Sequence, residues 1–136
     1  MQHVRVAEQP ATALDGDTPL EARDWARRHG RWLFSNPDML HRSVLPRHGR
    51  WAAFLRRLRF VVVDECHTYR GVFGSHVALL LRRLLRICAR YGARPTIVLA
   101  SATVADPAEF ASRLTGRSPG CGCRTCGPRR STATRR

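Results

Sequence analysis

"RFVVVDECHTYRGVFGSH", Arg59 to His76, decides the reading of the fold. Phe60 to Val63 are four apolar residues without interruption, the pattern of a strand buried on both faces of a parallel sheet covered by helices. Two adjacent carboxylates, Asp64 and Glu65, follow at its C-terminal end. Desolvating them is costly unless they stand at a sheet edge facing a ligand or a metal. In open α/β sheets that edge is where ligands bind. The strand end therefore points to a chemical site.

Working outward, the elements alternate. Thr18, Pro19 and Glu21 fit an N-cap, a first-turn proline and a capping-box partner, so a helix is predicted from Pro19 to about His29. Arg31 to Ser35 read as a short strand, and Asn36 caps a short helix begun by Pro37. Trp51, Phe54, Leu55 and Leu58 recur at helical spacing, which assigns Trp51 and Phe54 to a core rather than to base stacking. A strong helix is predicted from about Ser75 to Tyr91, closed by Gly92, with Arg82, Arg83, Arg86 and Arg90 on a solvated face. Thr96 to about Ala100 form the next buried strand, and Asp106, Pro107 and Glu109 begin another capped helix. Strands alternating with helices predict an α/β fold built on a parallel sheet. From Arg117 onward the chain is small residues, prolines and arginines without periodicity, which predicts a disordered tail.

With 136 residues the chain is at most one domain. All 24 of its basic residues are arginine and none is lysine, for a net charge of +14. Such a bias has two sources: GC-rich coding, or a polyanionic partner whose phosphates match the guanidinium fork. No apolar run approaches the roughly 18 residues that cross a bilayer, and "MQHVRVAEQPATAL" lacks a signal core, so a cytoplasmic protein with no membrane partner is expected. Five cysteines, an odd number, argue against a disulfide framework. Cys121, Cys123 and Cys126 crowd the tail, but a structural zinc site wants four ligands and no fourth lies nearby.

The second strand end presents Ser101, Ala102 and Thr103, which the topology should bring to the same sheet edge as Asp64, Glu65, Cys66 and His67. The chemistry this grouping suits is metal-assisted attack of water on a phosphate. Asp64 would hold Mg²⁺, and Glu65 would orient and deprotonate the water. His67, Ser101 and Thr103 would sense the terminal phosphate.

"VVVDECH", followed by "LASAT", resembles motifs II and III of superfamily 2 helicases, the DEAD/DEAH-box class. Together "LDGDTP", "SNPDMLH", "VVVDECHTYRGVFGSHVA" and "LASATVADPAEFASRLTG" resemble the YprA/MrfA-like bacterial repair helicases, relatives of Lhr-like ATP-dependent DNA helicases. The resemblance runs from about Leu14 to Gly116. It implies a partial RecA-like, P-loop NTPase-type parallel sheet flanked by helices, over residues 1–116, followed by the tail 117–136. It implies ATP and Mg²⁺ as cofactors, with Asp64 and Glu65 as the Walker B pair and Asp64 as the Mg²⁺ ligand. His67, Ser101 and Thr103 would link hydrolysis to strand movement. Asn36, Pro37 and Asp38 take the place of motif Ib, and Asp15, Gly16, Asp17 and Thr18 that of a second loop touching the nucleic-acid backbone, DNA rather than RNA.

The family's P-loop needs a lysine, and this sequence has none. The expectation is a chain lacking the P-loop strand and the second RecA-like domain, with only weak nucleotide binding of its own. In related ATPases the motif III strand lies beside the P-loop strand, so Thr96 to Ala100 should carry an open edge. Three readings remain: an inactive piece of a DNA helicase motor, a basic nucleic-acid-binding module without ATPase activity, or a non-functional gene fragment.

Overall fold

The computed structural model describes residues 11–101, 104 and 106–117. Thr103 and the tail cysteines Cys121, Cys123 and Cys126 lie outside the described residues. The elements in order are β1 (Ala11–Leu14), α1 (Leu20–His29), β2 (Trp32–Ser35), the short helix α2 (Pro37–Met39), α3 (Ala52–Arg56), β3 (Phe60–Val63), α4 (Gly71–Arg90), β4 (Thr96–Leu99) and α5 (Pro107–Thr115). A wider π-type turn, Leu40–Val44, extends α2, and 3₁₀ turns occupy His48–Trp51 and Cys66–Thr68.

The four strands form two parallel pairs. β1 pairs with β2 in the register Leu14↔Ser35, and β3 pairs with β4 in the register Val63↔Leu99. Within each pair both strands therefore end at the same edge. β1 was not anticipated: its four residues, "ATAL", are too short and too weakly apolar to stand out. Among the described residues β4 pairs with β3 alone.

α4 is the spine. Its 20 residues run about 30 Å at 1.5 Å per residue and serve two cores. Leu80, Leu84 and Cys88 pack into one, with Leu14, Leu45, Trp51 and Leu55. Val77, Ala78 and Leu81 pack into the other, with Val63, Cys66 and Leu114. Val61 touches both cores and joins them. Trp51 and Phe54 are buried, as their spacing predicted. The helix begins at Gly71, four residues before the expected start. Gly74 belongs inside the helix for a packing reason: a Cβ there would lie 2.3 Å from the Tyr69 carbonyl oxygen. The C-terminus closes as expected, with Gly92 at φ +80° and the Ala93 amide donating to the Cys88 carbonyl at 2.9 Å.

Three readings need correction. The Phe60–Val63 strand is not buried on both faces. Val63 packs inward, but Phe60 and Val62 remain 55% and 54% exposed, and Val98 beside them on β4 is 43% exposed. A continuous apolar run says that both faces want cover, not that the described residues supply it. Thr18 is not the N-cap of α1. Pro19 takes the cap position with no side-chain cap, while the Thr18 hydroxyl turns back onto Asp15. Arg82 and Arg83 are half-buried rather than solvated, and Arg82 donates to the Arg113 carbonyl of α5 at 2.8 Å.

Candidate functional site

The turn after β3 is bonded to the end of β4 through the backbone. The Ala100 amide donates to the Val63 carbonyl at 2.9 Å, and the Cys66 amide donates to the Ala100 carbonyl at 3.0 Å. This lock carries Asp64, Glu65 and His67 alongside Ser101. Glu65 adopts φ 47°, ψ 37°, the left-handed region that L-residues other than Asn and Asp seldom occupy. Both flanking peptides are held. Asp64 Oδ1 accepts from the Glu65 amide at 2.9 Å, while the Thr68 amide and hydroxyl donate to the Glu65 carbonyl at 3.0 and 2.9 Å. Strained backbone held from both sides is found where a side chain must be aimed.

Its aim is visible in the next contacts. His67 Nδ1 lies 3.2 Å from Glu65 Oε2 and 3.2 Å from Ser101 Oγ. The Ser101 contact is a hydrogen bond whose direction follows the imidazole tautomer, and the Glu65 contact is an ion pair when the imidazole is protonated. The chain Glu65–His67–Ser101 thus joins the two strand ends through side chains. The Glu65 side chain remains 65% exposed and that of His67 33% exposed. Cys66 between them is buried, and burial pushes its thiol above the ordinary range, which keeps it protonated and unreactive.

Asp64 is exposed at the same edge, with Oδ1 spent on the Glu65 amide. Among the described residues no three His, Cys, Asp or Glu side chains converge on a metal site. Asp64, an exposed carboxylate at the strand end, could contribute one oxygen to a divalent cation bound with a substrate phosphate.

The β1–β2 edge gathers the other predicted residues. Ser35 Oγ donates to the Leu14 carbonyl at 3.1 Å, so the loops leaving both strands start from a joined base. In the first loop Thr18 Oγ donates to Asp15 Oδ1 at 2.7 Å and accepts from the Asp15 amide at 2.9 Å, and the Asp17 amide donates to Asp15 Oδ1 at 3.1 Å. The Thr18 hydroxyl holds the Asp15 carboxyl below its usual range. In the second loop Asn36 Oδ1 accepts from the Met39 amide at 2.8 Å, the cap expected of it. Met39 anchors that turn in the core, with Pro37 half-buried and Asp38 exposed. Sequence reasoning missed Arg23. Its guanidinium donates to the carbonyls of Thr18, Asp15 and Gly16 at 2.8, 3.1 and 3.0 Å and clamps the loop. It missed Thr68 too, whose hydroxyl bonds back to the Glu65 carbonyl, a local pattern open to any threonine in a turn.

Comparison with known proteins is concordant. The family model for DEAD/DEAH box helicases matches residues 2–110. ATP-dependent helicase YprA of Bacillus subtilis is 50% identical over 103 residues, which make up 76% of this chain and 14% of that protein. ATP-dependent helicase HRQ1 of Saccharomyces cerevisiae is 46% identical over 104 residues, 75% of this chain and 10% of that protein. The crystal structure of the DUF1998 helicase MrfA bound to DNA and AMPPNP superposes with a TM-score of 0.77 at 46% identity, covering 82% of this chain and 16% of MrfA. The chain thus spans a small part of the length of the helicases it matches. With two parallel strand pairs flanked by helices, a carboxylate pair at one strand end and a match over most of its length, the chain belongs to the DEAD/DEAH box helicase family.

Proposed function

We propose that this chain is the rear part of the first motor domain of an ATP-dependent DNA helicase, residues 1–116, followed by the separate tail 117–136. The observation that carries the reading is the Glu65–His67–Ser101 chain, which joins the motif II and motif III strand ends while Asp64 and Glu65 stay open to solvent. Bound Mg²⁺ would neutralise charge on the nucleotide phosphates, with Asp64 as its protein ligand. Glu65 accepts the proton of the attacking water. His67 stands between Glu65 and Ser101 and passes movement of that carboxylate to Ser101 and, beyond it, to Thr103. The loops Asp15–Thr18 and Asn36–Asp38 present turn backbone to a nucleic-acid strand, and the net charge of +14 favours a polyanion.

The P-loop lysine and the arginine finger belong to other parts of the motor. Arginine fingers alone are worth roughly 10³–10⁵ in rate. The exposed Phe60, Val62 and Val98 face fits a domain whose remaining elements lie on another segment. The test uses two proteins: the 136-residue chain, and a full-length helicase carrying it in place of its own matching segment. The chain alone should hydrolyse ATP no faster than buffer, with or without single-stranded DNA. In the full-length protein Glu65→Gln should abolish phosphate release and leave ATP binding nearly intact, because Asp64 is kept. DNA-stimulated turnover by the short chain, or full activity of the glutamine variant, overturns the reading. The alternative, a basic nucleic-acid-binding module, requires wild-type DNA binding by a chain whose transplant leaves the full-length motor dead.

A further inference from the structure

The first three turns of α4 and the inner face of α5 enclose a cleft of about 650 Å³ that the motor chemistry does not use. Its floor is aliphatic and aromatic, from Ala78, Leu79, Leu114 and Phe110, and Arg70, Arg82 and Arg113 stand around it. None of its lining residues is acidic. Arg82 is committed to holding α5 through the Arg113 carbonyl, and Arg113 pairs with Glu109 one turn earlier on α5, which leaves Arg70 the freest of the three. Leu79 is 62% exposed at the mouth, and Val72, one helical repeat earlier on α4, is 77% exposed. An apolar floor ringed by guanidinium groups is an unusual surface for a solvated helix pair.

We propose that this cleft docks an acidic peptide segment of a partner protein, with an apolar side chain seated on Leu79 and Phe110 and carboxylates meeting Arg70 and Arg113. Charge complementarity selects this occupant. The chain's own tail, residues 118–136, carries five arginines and no carboxylate, so it is repelled rather than attracted. A nucleic-acid strand would satisfy the arginines and could meet the Tyr69 and Phe110 rings, but the exposed anchor at the mouth, Leu79, is aliphatic and offers a base no flat face to stack on. The pattern of apolar anchor and flanking charge is that of helix-in-groove recognition.

The 136-residue chain is titrated with a short fluorescein-labelled peptide carrying two leucines among glutamates. The same peptide with serines for leucines and a labelled oligothymidine serve as comparison probes. The leucine peptide should bind at least about tenfold more tightly than the serine peptide, the fold-change that burying a leucine side chain supports. Leu79→Asp should remove that advantage; the side chain is exposed, so the fold survives, as circular dichroism checks. Arg70→Glu with Arg113→Ser should weaken the leucine peptide by more than tenfold. Arg42→Glu with Arg56→Ser, the same loss of charge at two exposed arginines outside the cleft, should leave it nearly unchanged. Equal binding of the two peptides, or equal losses in the two charge variants, reduces the effect to general attraction by a basic chain and overturns the proposal. Oligothymidine binding that competes with the leucine peptide and is lost with Arg70 and Arg113 overturns it in favour of nucleic acid.

Discussion

The two strand edges of this molecule are built from similar parts and do opposite things with them. At the β1–β2 edge only Ser35 is described reaching across, to the Leu14 carbonyl, and the polar side chains of the two loops are spent locally. Asp15, Thr18 and Asn36 each bond to backbone or to one another within five residues, and Arg23 covers three carbonyls. What remains to face a partner is turn backbone in a fixed shape. At the β3–β4 edge the contacts reach across strands, 34 residues apart in the case of Ser101 and His67, and the carboxylates stay open. One edge uses side chains to shape backbone, and the other strains backbone to aim side chains. Under the proposed function, the loops that touch a nucleic-acid backbone would need the first, and the group that takes a water proton would need the second.

The strongest way to break this comparison is to add a methyl group at each edge. Gly74→Ala places a carbon 2.3 Å from the Tyr69 carbonyl, whereas the space around Gly16 is empty to 4 Å. Gly74→Ala should cost about 1–3 kcal/mol through overpacking, and Gly16→Ala should change stability by no more than about 0.5 kcal/mol. Urea titrations of both variants check this; equal losses would mean that the DECH turn is no more tightly packed than the loop edge.

A smaller loss, about 1 kcal/mol, is expected from Asn36→Ala, which removes the cap on the Pro37–Met39 turn. Amide exchange at Met39 should accelerate while exchange at Cys66, bonded across the other edge, stays slow. Smaller again is a gain. Glu65→Gly relieves a side chain held at φ 47° and should raise stability by about 0.5–1 kcal/mol, while removing the proposed base. If instead that variant is clearly less stable, the strain at the β3–β4 edge is not real.

The smallest effect is one of pH. The Thr18 hydroxyl and nearby amides hold the Asp15 carboxyl below its ordinary value of 3.8. The folded loop therefore binds the proton less readily than the unfolded chain. Its contribution is complete above that ordinary value and fades as the pH falls through the lower folded one. In NMR titrations the Asp15 carboxyl should move at lower pH than in an unfolded peptide, and Thr18→Val should bring the two together.

Much of the β3–β4 edge was legible because its signals are local and strong. An uninterrupted apolar run, two carboxylates, and a second strand ending in Ser101 announce an α/β edge. Asp106 and Asn36 were legible as caps for the same reason, a short polar side chain before a proline. Thr18 misled because it satisfies the same rule, yet the carboxylate of Asp15 is a better partner for its hydroxyl than the first turn of α1. The burial of Phe60 and Val62 misled differently, since an apolar run shows which side chains favour burial and not which neighbours pack over them.

The residue order by itself determined the element sequence from α1 onward, the family, and the identity of the groups at each strand end, because periodicity, caps and motif spacing are written within a few neighbouring residues. Tertiary structure alone decided that Glu65 is left-handed, that His67 joins it to Ser101, that Arg23 clamps a loop eight residues upstream, and that α4 and α5 leave a cleft between them. These depend on how strands register and helices pack, and such long-range contacts leave no periodic trace in the chain that makes them.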